Sequence, residues 1–149
     1  MPMEFQKYLS FLADLQKCLD SLTALEQRKL TAIQTADFDA LDQCIKEEQA
    51  AALDLRGREH KRADLLSQLG LPDASLRELP DHCPAEFRRQ ASEITQDVLR
   101  SYQVLASAQN AARTLMESDL RHIQQELDRR QEKRQDTSAA RSAQTDLRV

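Results

Sequence analysis

The feature that most constrains this chain is a regular apolar spacing near its amino terminus. Large apolar side chains recur there at steps of three and four residues, namely Phe5, Tyr8, Leu12, Leu15, Leu19, Leu22 and Leu25, followed by Leu30 and Ile33. Steps of this size place side chains on one face of an α-helix. The spacing therefore predicts one long amphipathic helix, whose apolar face is interrupted by Glu26 and Lys29.

The residue composition favours long helices and argues against sheet-based folds. Ala, Glu, Lys, Leu and Arg make up about half of the 149 residues, which is typical of long or coiled helices. The chain has only 2 glycines and 4 prolines and few β-branched residues. It lacks the strand formers and turn residues that a β-sandwich, a barrel or a dinucleotide-binding fold requires.

A short polar interruption after the first helix predicts a tight helical hairpin. Asp37 is suited to cap a second helix, because its carboxylate can accept hydrogen bonds from free backbone amides. The sequence Leu-Gly-Leu-Pro at residues 69–72 is typical of a helix end, with Gly70 in the left-handed conformation. Between these signals lies a second apolar series, made of Phe38, Leu41, Ile45, Ala52, Leu55, Leu66 and Leu69.

The hairpin register predicts two pairs of opposite charge. If the chain reverses near residues 35 and 36, Lys29 lies near Asp42 and Glu26 lies near Lys46. Each charged residue on the apolar face of the first helix then has a partner on the second.

A third helix is predicted after a proline-containing crossover at residues 72–84. The crossover has one expected helical turn at residues 75–78, and the third helix begins near Pro84, since proline suits the first helical position. Its apolar series is Phe87, Ala91, Ile94, Val98, Leu105, Ala108, Ala112 and Leu115. The predicted fold is all-α: a long antiparallel hairpin plus a third long helix, forming a coiled-coil-like three-helix bundle.

The apolar series changes phase after Leu115. It continues as Met116, Leu120, Ile123 and Leu127, so the apolar face rotates around the helix axis and need not point into the bundle. From residue 128 onwards Leu147 and Val149 are the only large apolar residues. We therefore predict a helical domain at residues 1–127 and a flexible polar tail at residues 128–149.

The sequence favours neither catalysis nor a metal or cofactor site. The His82-Cys83 pair and the remaining cysteines do not form a spacing typical of zinc ligands, and we expect both residues of the pair to lie near solvent. No nucleophile elbow or glycine-rich anion loop occurs. The third and fourth residues after His60 are Ala63 and Asp64, whereas histidine phosphotransfer domains have Lys and Gly at these two positions. We predict no catalytic, metal-binding or cofactor-binding residues.

Charge and hydropathy also limit the partners. The net charge of −4 gives no general attraction to nucleic acid, and acidic residues interrupt the basic cluster around Arg129 and Arg130. We expect no nucleic-acid binding, no membrane insertion and no secretory signal. Three cysteines without close pairing fit reduced thiols in the cytoplasm.

The order of these features resembles the FlgN family of flagellar type III export chaperones across residues 5–127. Asn110, five residues before Leu115, also suits that family. The resemblance is carried mainly by the following segments in chain order: Leu-Glu-Gln-Arg-Lys-Leu at 25–30, Ala-Asp-Phe-Asp-Ala-Leu at 36–41, Lys46, Leu53, Arg58, Leu65, Leu66 and Leu-Gly-Leu at 69–71.

The resemblance implies a non-enzymatic cytoplasmic chaperone. Such a protein binds the C-terminal helices of hook-filament junction (hook-associated) proteins, prevents premature association and delivers them to the export gate. By helix position, the partner-binding residues are Leu115, Leu120, Ile123 and Leu127. The alternative is that the same series is bundle core, or the contact of a self-associating structural or adaptor coiled coil. A monomer or weak homo-oligomer favours the chaperone, whereas an obligate oligomer that hides this face favours the adaptor.

Overall fold

The computed structural model describes the backbone of residues 2–147 and the side chains of residues 3–120, 122 and 124–137. The described backbone contains helices and connections, and no strand. The helices are α1 (Pro2–Gln34), α2 (Phe38–Gln68), a short α3 (Leu79–His82) and α4 (Arg88–Leu147), with a 3₁₀ turn at Ala85–Phe87 leading into α4. The predicted all-α fold, with a hairpin and a third long helix, is confirmed.

Helix α1 lies between the other two long helices. It packs along both α2 and α4, whereas α2 and α4 contact each other at few positions. The predicted apolar series of α1 is buried except for Leu30, which is half-buried, and Leu12, Leu15 and Leu19 are fully inaccessible to solvent. These residues form the main core with side chains from both flanking helices, including Leu66 of α2 and Val98 of α4.

The connection between α1 and α2 closes the hairpin in three residues. Ala36 adopts a positive φ of 54°. The amide of Asp37 donates to the carbonyl of Ala32 at 2.9 Å and so provides a hydrogen-bond donor for a carbonyl in the last turn of α1. The Asp37 side chain then accepts from the Ala40 amide at 3.2 Å. The predicted cap at Asp37 is confirmed.

The end of α2 follows the glycine signal. Gly70 has φ +75°, and the Leu71 amide donates to the Leu66 carbonyl at 2.9 Å. The expected turn at residues 75–78 is present as reciprocal hydrogen bonds between Ser75 and Glu78, and it is followed by α3. Ala52, which was assigned to the apolar face of α2, is exposed.

The predicted charge pairs across the hairpin are wrong. Lys29 Nζ lies 2.8 Å from Glu48 Oε2 and 3.8 Å from Glu26, whereas Lys46 pairs with Asp42 on its own helix at 3.3 Å. The simple reversal about residues 35 and 36 fails because the three-residue connection and the helical step together place Lys29 opposite a later turn of α2. Lys46 is largely exposed and satisfies its charge locally.

Helix α4 differs from the prediction at its start and continues beyond the predicted boundary. Pro84 precedes the 3₁₀ turn with ψ 147°, so the α-helical conformation begins at Arg88. The helix then runs without a break to Leu147. The predicted division at residue 127, and the flexibility of residues 128–149, remain predictions.

The two neighbouring residues His82 and Cys83 differ in burial. His82 is exposed, but Cys83 is only 5% exposed and belongs to the main core. The expectation that both lie near solvent is therefore wrong for Cys83, because the short α3 turns its end toward α1 and α4. Burial raises the pKa of Cys83, which opposes formation of a reactive thiolate.

Candidate functional site

A second, smaller apolar cluster lies at the closed end of the hairpin. We call its buried part the tip patch, which consists of Ala32, Ile33, Phe38 and Leu41. The segment of α4 at residues 115–137, here called distal α4, crosses this end of the hairpin. Leu115, Met116 and Leu127 of distal α4 pack against the tip patch.

Phe38 is the centre of the polar as well as the apolar contacts. Its ring meets the imidazole of His122 edge-on, with the two ring centroids 5.9 Å apart. The guanidinium carbon of Arg130 lies 5.9 Å from the centroid of the same ring, within the range of a cation–π interaction. One aromatic side chain at the start of α2 therefore contacts two turns of distal α4.

Ion pairs extend the same contact outwards. Arg130 binds the carboxylate of Asp39, and Arg134 lies 4.0 Å from Asp42. Within α4, Arg129 hydrogen-bonds to Glu126 and lowers the pKa of that carboxyl. The basic side chains border a cleft of about 540 Å³ lined by Asp39, Arg129, Arg130, Lys133, Arg134 and Thr137.

The four residues predicted to bind a partner occupy different environments. Leu115 and Leu127 are partly buried against the tip patch. Leu120 is 49% exposed and presents apolar surface to solvent. The side chain of Ile123 lies outside the described residues. The sequence did not reveal the tip patch as the neighbour of distal α4, because Phe38 and Leu41 also fit the inner face of the hairpin.

A second concave surface lies between α1 and α2. This groove, of about 580 Å³, has apolar walls from Leu22, Leu25 and Ala51. Its charged border is internally paired, since Arg28 binds Glu47 and Arg58 binds Asp54, each at 3.0 Å. Unlike distal α4, the groove carries no residue predicted to bind a partner.

The described side chains do not form a metal centre. Within that part of the chain, no group of three or more His, Cys, Asp or Glu residues is placed to hold a metal ion. The thiol of Cys18 at the groove lies 3.7 Å from Asp54, and burial is the main cause of its raised pKa. None of the described helices has an apolar stretch long enough to cross a bilayer.

The described part of the chain defines an all-helical protein, in which three long helices pack together and Leu115, Leu120 and Leu127 of the longest are partly exposed. A family model described as FlgN protein matches residues 1–144. The chain belongs to the FlgN family, and this membership supports a general role as a flagellar export chaperone. Comparisons with curated proteins and with solved structures gave no significant match.

Proposed function

We propose that this protein is a cytoplasmic chaperone for hook-filament junction proteins. It binds their C-terminal helices, prevents these helices from associating prematurely and delivers the client to the type III export gate. Family membership supports the general role, and the observation that carries the finer assignment is the 49% exposure of Leu120 on distal α4.

Distal α4 has the chemistry that holding an amphipathic helix requires. A client helix binds by laying apolar side chains at steps of three and four against a complementary apolar surface. Leu120 supplies exposed surface between Leu115 and Leu127, and Ile123 continues the same series in the sequence. Binding of this kind depends on burial of apolar area and needs neither a nucleotide nor a metal.

Calorimetric titration with a client peptide tests the proposal. The peptide spans the C-terminal helical segment of a hook-filament junction protein, and the variants are Leu120→Ser and Ile123→Ser. Loss of the apolar contact at Leu120 is expected to cost about 1–2 kcal/mol, or a roughly five- to thirtyfold rise in Kd. Leu127→Ser is less informative, because Leu127 also packs against the tip patch.

Val104 offers a matched control on the same helix. It is 47% exposed and lies outside the proposed client-binding series, so Val104→Ser is expected to leave the Kd unchanged. Circular dichroism checks that every variant keeps its helicity. An equal Kd for the Leu120 and Val104 variants would contradict the proposed client surface.

Sedimentation across protein concentration separates chaperone from adaptor. A self-associating adaptor would bury distal α4 in an obligate oligomer and would show no titratable peptide binding. A monomer or weak dimer that binds the peptide supports the chaperone.

A further inference from the structure

The contact between distal α4 and the tip patch has a direct bearing on client binding. Leu115 and Leu127, two of the proposed client-binding residues, already pack against the hairpin tip. Leu120 lies between them in the sequence and is half-exposed. In this conformation part of the proposed client-binding surface is occupied by another part of the same chain.

The contact is separate from the main core. The tip patch and its partners on distal α4 share no residue with the main core, which ends at Leu22 on α1 and Leu105 on α4. Release of distal α4 from the tip would therefore leave the buried contacts of the main core in place.

The charged contacts at the tip are of a kind that a competing ligand can displace. Asp39 is 81% exposed and Arg130 is 31% exposed, so solvent weakens their attraction. Arg134 reaches Asp42 only at 4.0 Å. On the apolar side of the contact, Leu115, Met116 and Leu127 are each only partly buried, so part of their surface stays open to a competing helix.

We propose that the hairpin tip is an autoinhibitory latch, which holds distal α4 and competes with the client helix for Leu115 and Leu127. This inference rests on the proposed function. In the latched state less of the client-binding surface is accessible to the client helix. The apparent affinity for the client is therefore reduced in proportion to the fraction of molecules in which distal α4 is free. Client binding in turn releases the tip, because coupling between two binding equilibria is reciprocal.

A charge-reversal cycle tests the latch. The variants are Asp39→Lys, Arg130→Glu and the double variant that carries both, and the two readouts are amide hydrogen exchange at residues 115–134 and the Kd of the client peptide. Each single variant is expected to speed exchange and to tighten peptide binding by up to about fivefold. The double variant re-forms an ion pair with reversed polarity, so both readouts return toward the wild-type values.

Arg89→Glu is the matched control. Arg89 is 93% exposed, belongs to the same helix and pairs with Glu93, so its reversal changes the net charge equally without touching the tip. We expect it to leave exchange at residues 115–134 and the peptide Kd unaltered. An effect as large as that of Arg130→Glu would show that net charge is responsible and would overturn the latch.

The remaining outcomes separate the latch from the proposed function. Peptide binding without recovery in the double variant, or weaker binding by Arg130→Glu, would overturn the latch and leave the chaperone role intact. If hydrogen exchange speeds up in the single variants and recovers in the double variant, but neither wild type nor variants bind the peptide, the proposed chaperone role is wrong. The proposed competition between the hairpin tip and the client is then wrong as well. The intramolecular contact would still be established.

Discussion

Replacement of Glu26 by glutamine should stabilise the protein above neutral pH and have little effect in mild acid. Glu26 is 2% exposed, and its Oε2 has no hydrogen-bond partner. Burial raises the pKa of this carboxyl to about 7 from its ordinary value of 4.5, and Glu48 adds to the rise, while Lys29 partly offsets it. For Glu48, burial opposes ionisation, but the neighbouring Glu26 side chain and the Lys29 ammonium outweigh it and lower the pKa.

The sign follows from proton binding in the two states. Between the unfolded value near 4.5 and the folded value of about 7, the folded protein holds a proton on Glu26 that the unfolded chain has lost. The Glu26 contribution to stability is therefore intact below the unfolded pKa and decreases as the pH rises through the folded pKa. The difference between the two pKa values corresponds to about 3 kcal/mol, at about 1.4 kcal/mol per pKa unit.

Urea denaturation followed by circular dichroism measures the effect. Because Lys29 can shift toward Glu26 when that carboxylate ionises, we expect Glu26→Gln to be more stable than wild type by about 1–3 kcal/mol near pH 8.5 and similar to it near pH 4, below the unfolded pKa. Subtracting the two curves removes the contributions of the titrating groups that do not interact with Glu26. Glu86→Gln, at an exposed position, controls for the substitution itself. Parallel pH profiles for wild type and Glu26→Gln would refute this account of Glu26.

Two further predictions concern the helix ends. Gly70→Ala should lower the free energy of unfolding by about 1 kcal/mol, because a Cβ is strained at φ +75° although nothing lies within 4 Å of it. Ala36→Gly relieves the same strain at φ 54° and should raise the free energy of unfolding by up to about 1 kcal/mol. Thermal and urea unfolding measure both variants, and the opposite ranking of their stabilities would contradict the backbone argument. Asp37→Ala removes the hydrogen bond from the Ala40 amide and should lower the free energy of unfolding by about 1 kcal/mol. Asp37→Asn should retain most of the stability in the same unfolding assay. Equal losses of stability in the two variants would mean that the side-chain cap does not stabilise α2.

The first two helices could be predicted from sequence because each has an apolar period and an end signal of its own. The apolar series of α1 alone identifies its buried face, and Asp37 and Gly70 mark the ends of α2 through hydrogen bonds that involve only neighbouring residues. The FlgN resemblance rests on the same local features and is confirmed over residues 1–144.

Contacts between helices were harder to predict. The pairing of Lys29 with Glu48 depends on how far α2 is displaced along α1 by the connection, which residue spacing does not specify. Burial of Cys83 depends on the path of the crossover. The phase change after Leu115 indicated that the apolar face of distal α4 rotates away from the bundle core. Only the three-dimensional arrangement shows that Phe38 and Arg130 meet at the hairpin tip.

The central position of α1 determines where related sequences can diverge. Because α1 packs along both α2 and α4, a substitution in its buried surface that suits α2 also has to suit α4. The outer sides of the flanking helices are constrained by contact with one neighbour at most, and the described contacts of distal α4 with other helices are those with the hairpin tip. Relatives adapted to different cargo should therefore vary most in the last third of the chain, while the first helix changes slowly.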